Sequence, residues 1–310
     1  YGEQYLDLPH QEAVRVLGRE GLRRVLDIAR QDLADLGVHY DTWFHEKSLR
    51  ESGLLDRMLR ILRDKGRIVE KEGAVWFSYP DLDADAVVIR SPDVIPVPEE
   101  RPTYLASDIA YVWDKLVERA FDKAIYVWGA DHHGDVPRLK AAAKALGLDP
   151  ERVVIILYQM VNLKRSGEGV RMSKRRGEFV TLRELLDEVG PDPIRFMMLT
   201  CTVDSTFDFD LDLALEQSEK NPVYYVQYAH ARIASILRHA ADLGWDVEGP
   251  GDVSLLTHES ELALIRKMLE LPEIIAQAAM HLAPHHLTFY AKDLAAAFHA
   301  FYRDCRVVDA

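Results

Sequence analysis

The sequence predicts an α/β half followed by an all-α bundle. Two observations carry this. Between about residues 103 and 160, uninterrupted apolar strands such as Ala124-Ile125-Tyr126-Val127-Trp128 and Val153-Val154-Ile155-Ile156-Leu157 alternate with helical stretches such as Val136–Ala145. Such strands between helices indicate a parallel sheet covered on both faces. After Leu182 the apolar spacing becomes helical almost throughout.

The elements follow in order. Val14, Leu17, Leu22, Val25, Leu26, Ile28, Ala29 and Leu33 recur at spacings of three and four, which predicts a helix over 11–36. Val38–Phe44 reads as a short strand. Leu54, Leu55, Met58, Leu59 and Leu62 predict a second amphipathic helix. Arg67–Glu70 and Ala74–Phe77, on either side of Lys71-Glu72-Gly73, read as a hairpin. Ala86–Ile89 is a further strand, and the proline-rich stretch Ser91–Pro102 is a loop. In the helical half one turn-forming cluster, Gly249-Pro250-Gly251-Asp252, marks a linker. These patterns place a domain junction near residue 210, with 1–210 as the α/β part and 211–310 as the helical part. No internal repeat or low-complexity tract is evident.

Composition narrows the function classes. The 310 residues are 48% apolar and 29% charged, an ordinary globular balance. No apolar run approaches the roughly twenty residues of a membrane-spanning helix. The opening Tyr1-Gly2-Glu3-Gln4-Tyr5 is neither a secretory leader nor a transit peptide. It carries no initiator Met, so we expect the chain to begin inside a longer protein. Cys201 and Cys305 are far apart. Their spacing suits neither a disulfide framework nor a zinc site, and two free, buried thiols suit the cytosol. The formal charge of −13 argues against a chain that coats nucleic acid without specificity. A local basic face remains possible, because Lys164, Arg165, Arg171, Lys174, Arg175 and Arg176 lie close together in sequence.

Two segments carry chemistry. In Trp128-Gly129-Ala130-Asp131-His132-His133-Gly134 an apolar strand runs into a small-residue turn and then a helix. Open α/β sheets bind ligands just outside the carboxyl ends of their strands, and a helix start favours phosphate. The plainer reading is an ordinary strand–helix turn with His132 and His133 as packing residues. In Gly167-Glu168-Gly169-Val170-Arg171-Met172-Ser173-Lys174-Arg175-Arg176-Gly177, glycines bracket a basic loop. Such a loop can close over a triphosphate and offset developing charge, or it can simply be a solvated charge run.

Taken together, Met172-Ser173-Lys174 in its basic, glycine-flanked loop resembles the KMSKS signature of class I aminoacyl-tRNA synthetases. Pro102-Thr103-Tyr104-Leu105-Ala106-Ser107-Asp108-Ile109-Ala110-Tyr111 narrows the resemblance to the arginyl members. The family then implies a Rossmann-type nucleotide fold followed by an anticodon-binding bundle of the DALR type, shortened at its end. It implies Lys174 as the catalytic cation on the ATP phosphates, with Arg171 in place of the first lysine and Ser173 between them. It implies Glu46, Tyr104, Asp108 and Asp131 as arginine contacts. Gly129, Asp131, His132, Met172 and Lys174 would hold ATP. A guanidinium is a planar fork of five donors, and a carboxylate accepts two of them, so acids converging on one pocket would select it. Glu46 and Asp108 could equally be plain surface acids.

The helical half resembles the same family through Phe207–Asp212, Asn221–Arg232 and Ala297–Tyr302. Aromatics beside cations can stack on unpaired bases, which points to Tyr225, Tyr228 and Arg232 for tRNA, with Tyr224 and Tyr302 as core. The resemblance implies an arginine–tRNA ligase when intact, with tRNA(Arg), arginine and ATP as partners, Mg²⁺ arriving with ATP, no structural metal and no membrane. It also implies a cytoplasmic location and a monomer. One departure is large: the HIGH sequence of the first half of the nucleotide fold does not occur. We therefore expect the 310-residue chain alone not to form an adenylate, and expect apolar faces to lie exposed. The competing readings are a non-catalytic synthetase fragment or paralogue that binds nucleotide or tRNA, a cysteinyl synthetase (disfavoured by two distant Cys) and an unrelated nucleotidyltransferase.

Overall fold

The computed structural model describes residues 4–308 apart from 6, 96, 99–100, 171–179, 247–248 and 250. Two compact units divide the chain. One is discontinuous and holds 1–39, 161–202 and 207–310; the other holds 40–160 and 203–206.

The first unit begins with α1 (His10–Asp35), where the spacing of apolar residues predicts it. Gly37, at φ 76°, ends the helix in the left-handed conformation that glycine adopts at little cost. None of its side chains is buried, and Val14, Val25 and Ile28 stay largely in solvent. Its C-terminal end is tied down instead. Arg183 pairs with Asp32 and Asp35, and the Arg195 guanidinium donates to the Leu36 and Gly37 carbonyls.

The strand expected at Val38–Phe44 is absent; this stretch is extended but joins no ladder. Its aromatics pack as rings, Tyr40 on Trp43 and Phe44 stacked on Tyr111 at 4.3 Å. It is the stretch through which the chain passes from one unit to the other.

The second unit then runs through α2 (Lys47–Glu51) and α3 (Leu54–Asp64), whose Leu54, Leu55, Met58, Leu59 and Leu62 are all buried as their spacing requires. A hairpin follows, β1 (Ile68–Lys71) and β2 (Ala74–Phe77). Both turn residues have positive φ, Glu72 at 55° and Gly73 at 68°, the geometry of a tight type I′ turn. The strand β3 (Ala86–Ile89) pairs antiparallel with β2.

Next comes α4 (Tyr104–Trp113), capped by Thr103, whose Oγ1 accepts from the Ala106 amide. The same hydroxyl donates to the Val87 carbonyl at 2.9 Å, which fixes the helix start against β3. A π-helical turn, Asp114–Glu118, continues α4. The strand β4 (Ala124–Gly129), a 3₁₀ turn (Ala130–Asp135), α5 (Val136–Leu146) and β5 (Val153–Tyr158) form a parallel βαβ unit. Leu139, Ala142 and Ala143 of α5 are fully buried, as are Ile109 and Ala110 of α4. The sheet is covered on one face, not two. Along β4 the residues alternate, and Ile125 and Val127 remain 42% and 63% exposed.

Back in the first unit, β6 (Val161–Arg165) and β7 (Glu168–Gly169) form a hairpin. Helix α6 (Leu182–Val189) starts at a capping box of Thr181 and Glu184, and α7 (Pro191–Met198) follows. Helicity after Leu182 is interrupted by β8 (Phe207–Asp210), which pairs parallel with β6. Its Phe-Asp-Phe-Asp alternation has the period of a strand, and Phe209 is fully buried while Asp208 is exposed. Then come α8 (Leu211–Leu215), α9 (Pro222–Asp242), α10 (Glu259–Leu269), α11 (Leu271–His281) and α12 (His285–Asp304). The linker expected at 249–252 falls between α9 and α10. Cys201 and Cys305 are free and only partly buried, less so than their apolar neighbours suggest. No described helix is long and apolar enough to cross a membrane.

Candidate functional site

A cavity of about 560 Å³ opens in the second unit, within the range of small-molecule sites. One wall is the first two turns of α4, with Tyr104, Leu105 and Asp108. The β2–β3 hairpin supplies Trp76, Asp85 and Val87, and Arg90 follows β3. The third wall is the carboxyl end of β4 and what comes after it: Trp128, His132, Asp135, Arg138 and Leu139. The site therefore lies where an open α/β sheet places ligands.

Tyr104 and Asp108 stand four residues apart on one face of α4, so both reach the cavity, as their spacing predicts. Tyr104 is almost wholly exposed at its mouth, whereas Asp108 is half-buried. Burial pushes the Asp108 carboxyl up to about 6, opposed chiefly by Lys115 and reinforced by Asp135 and Glu46. The other two acids of the wall are already paired. Asp85 accepts from Lys71 at 2.9 Å, which holds it below its ordinary range. Asp135 accepts from Arg138 at 3.0 Å and lies 3.3 Å from His132 Nδ1. Asp108 has no hydrogen-bond or ion-pair partner among the described residues. It is a carboxylate held ready in a partly desolvated cavity.

The remaining expected contacts are arranged differently. Glu46 is not in the cavity wall. It sits just before α2, exposed, and accepts a hydrogen bond from Ser107 Oγ, one residue before Asp108. It acts on Asp108 through charge. The Asp131 side chain is 84% exposed and does not line the cavity, although its carboxylate lies 3.9 Å from His132 Nε2; Asp135, four residues further on, takes the wall position. The turn at Gly129 is tight: a Cβ there would lie 2.5 Å from Asp131 Oδ1. His132 does line the cavity and packs beside Trp128, ring centres 5.9 Å apart. Sequence reasoning passed over Asp135, Arg138, Trp76 and Trp128. The signal for Asp135 was available, because it caps the same glycine turn that drew notice to Asp131.

Arg171, Met172, Ser173 and Lys174 lie outside the described residues. Two described members of the basic cluster are neutralised. Lys164 pairs with Asp208 at 2.6 Å and Arg165 with Glu188 at 2.6 Å.

In the helical part, Tyr224, Tyr228 and Arg232 form a stripe at successive turns of α9. Tyr224 stacks on Tyr228, with ring centres 5.8 Å apart. The Arg232 guanidinium lies 4.3 Å over the Tyr228 ring and 4.8 Å over Tyr302 of α12, and donates to the Tyr228 hydroxyl at 2.8 Å. Three expectations are set against this arrangement, the first being Tyr224, expected in the core and only partly buried in the stripe. Tyr225 packs edge-on against His299 and onto the apolar cluster of Ala229, Ala295 and Phe298, where burial pushes its phenol up. Tyr302, expected in the core, is 42% exposed and belongs to the cationic stripe. Tyr225 and Tyr228, three residues apart, both approach the His299 ring, with ring centres at 4.8 and 6.1 Å.

Comparison with known proteins sets these features in context. Residues 12–198 match the model of the class I tRNA synthetase (R) catalytic domain, and residues 226–310 match the DALR anticodon binding domain. Over 310 residues the chain is 50% identical to the arginine–tRNA ligase of Dehalococcoides mccartyi, covering 99% of this chain and 54% of that protein. The arginine–tRNA ligase of Heliobacterium modesticaldum is 48% identical over 315 residues, with the same coverages. The chain thus spans about half the length of the curated relatives it matches. A crystal structure of a candidate arginyl-tRNA synthetase from Campylobacter jejuni superposes with a TM-score of 0.86 at 32% identity, covering 100% of this chain and 66% of that one.

Proposed function

Since the chain belongs to the arginyl-tRNA synthetase family, we propose that the intact protein activates arginine with ATP and transfers it to tRNA(Arg). In the first step the arginine carboxylate attacks the α-phosphorus and pyrophosphate leaves. In the second, a terminal ribose hydroxyl attacks the acyl carbonyl and AMP leaves. The observation that carries this reading is Asp108: a half-buried carboxylate without a partner in a cavity of amino-acid size. A guanidinium supplies two parallel N–H donors for it, and Tyr104 closes the mouth. Mg²⁺ enters with the ATP phosphates as part of the substrate. Arg171, Ser173 and Lys174 are proposed to act on those phosphates, with Gly129, His132 and Met172 beside the nucleotide. The proposed division of labour is catalytic over 1–210 and tRNA-binding over 211–310, in a cytoplasmic protein.

The test is pyrophosphate exchange by the full-length protein with each amino acid in turn. Exchange is expected with arginine alone and only with tRNA present. Equal exchange with lysine or cysteine rejects the assignment. No exchange with any amino acid favours a fragment or paralogue that only binds.

The α9–α12 stripe is proposed to contact unpaired bases of tRNA through Tyr228, Tyr302 and Arg232, with Tyr225 beside them against His299. Arg232→Gln removes a cation that sits on both rings. It should weaken tRNA binding about tenfold and reduce the salt slope of log affinity by roughly 0.7, the value for one charge on a single strand. Filter binding at several salt concentrations measures both. An unchanged slope would mean that Arg232 only clamps the two helices together.

A further inference from the structure

Next to the cavity lies a cation that the reading above does not use. Lys115 is half-buried on the π-helical turn that continues α4, two turns beyond Asp108. Its Nζ lies 3.9 Å from the centre of the Tyr111 ring and 3.7 Å from that of Tyr126, a sandwich between two aromatic faces. No carboxylate among the described residues comes within ion-pair distance of it. Lys115 is held in place by rings and therefore keeps its charge free to act at longer range. The groups facing it are Asp108, Arg119 and Asp114; those facing Asp108 are Lys115, Asp135, Glu46 and His132.

We propose that Lys115 is a positioning residue for arginine binding: clamped between Tyr111 and Tyr126, it keeps the neighbouring Asp108 carboxylate ionised and ready for a guanidinium. The proposal rests on the assignment of this cavity to arginine.

The physical argument is a balance of burial against charge. Burial pushes the ammonium down to about 8 and the carboxyl up to about 6, and each is the foremost Coulombic opponent of the other's neutralisation. Around Asp108 the two acids, Asp135 and Glu46, act in the same direction as burial. Without Lys115 only His132, on the 3₁₀ turn after β4, opposes them. The Asp108 carboxyl would then hold its proton into the working range, and a neutral acid offers a guanidinium far less. The sandwich also explains why the cation does not collapse onto the carboxylate: two ring faces hold it, and the carboxylate stays open to substrate.

Two experiments on the full-length protein decide the matter. The first follows the arginine KM from about pH 5.5 to about pH 8.5 in wild type, Lys115→Met and Lys115→Arg. Wild type should lose arginine affinity as pH falls through about 6. Lys115→Met, which fills the slot without charge, should move this limb up by about one pH unit or more, raise KM about threefold or more near pH 6.5, and converge towards wild type at the alkaline end. Lys115→Arg keeps a cation on the rings and should keep the limb near 6. A limb that stays put in Lys115→Met overturns the proposal.

The second needs no arginine. Thermal unfolding near pH 8 is compared for wild type, Lys115→Met, Asp108→Asn and the double variant. If Lys115 offsets the buried carboxylate, Asp108→Asn restores stability to Lys115→Met. Strictly additive effects mean that Lys115 only packs, and overturn the proposal. A wild type that ignores arginine would sink the assignment of the cavity, while the unfolding cycle would still decide whether Lys115 and Asp108 are coupled.

Discussion

Asp108→Asn should raise the arginine KM at least about a hundredfold, roughly 2.7 kcal/mol, while leaving the ATP KM nearly unchanged. The carboxylate offers two acceptors to a fork of donors, and asparagine replaces one of them with an NH₂ that meets another donor. Stability should move in the opposite direction. The carboxyl is raised to about 6 in the folded chain against roughly 4 when unfolded. A raised acid stabilises the fold at low pH and costs stability as pH rises through that window, fully so above about 6. Asparagine removes this cost, so the variant should melt at or above wild type at pH 8. Steady-state kinetics and a thermal scan on one preparation test both. A variant that loses arginine affinity only because it unfolds would melt lower and contradict the assignment.

Lys174→Ala should lower the kcat of adenylate formation on the order of a hundredfold or more, with little change in arginine KM. A cation that acts on charge developing at the phosphates contributes more in the transition state than in the ground state, so its loss appears in kcat. The assignment rests on the resemblance of Met172-Ser173-Lys174 to the KMSKS signature and on the catalytic-domain match over residues 12–198. Single-turnover adenylate formation measures the effect. An unchanged kcat with a raised arginine KM would remove Lys174 from the role.

Local patterns told most of the second unit in advance. The buried leucines of α3, the Glu72-Gly73 turn and the apolar runs of β4 and β5 are set by side-chain period and turn chemistry, which short windows of sequence carry. Tyr104 and Asp108 were legible for the same reason, since helical spacing alone aligns them. What could not be read depended on distant partners. Val38–Phe44 has a strand-like pattern and no strand to pair with. β8 is a strand because β6, some forty residues earlier, pairs with it. Asp131 and Asp135 both flank the same turn, and only the packing of the 3₁₀ segment decides which faces the cavity. Lys115 gave no sign at all, because its rings come from α4 and β4 and meet only in three dimensions.

The ion pairs of Arg183 with Asp32 and Asp35 join positions about 150 residues apart in sequence. Between the two ends of that connection lies nearly all of the second unit, residues 40–160, which carries that unit's core. This arrangement imposes an order on folding. A chain emerging from the ribosome amino terminus first completes the inserted unit before α6 exists to receive α1. The acids at the end of α1 wait for more than a hundred residues of synthesis before Arg183 exists to pair with them. Closing so long a loop would be costly if the intervening chain were loose; a folded insertion brings its ends to fixed positions and removes most of that entropy. The interval before Asp32 and Asp35 can meet Arg183 is therefore set by the rate of translation.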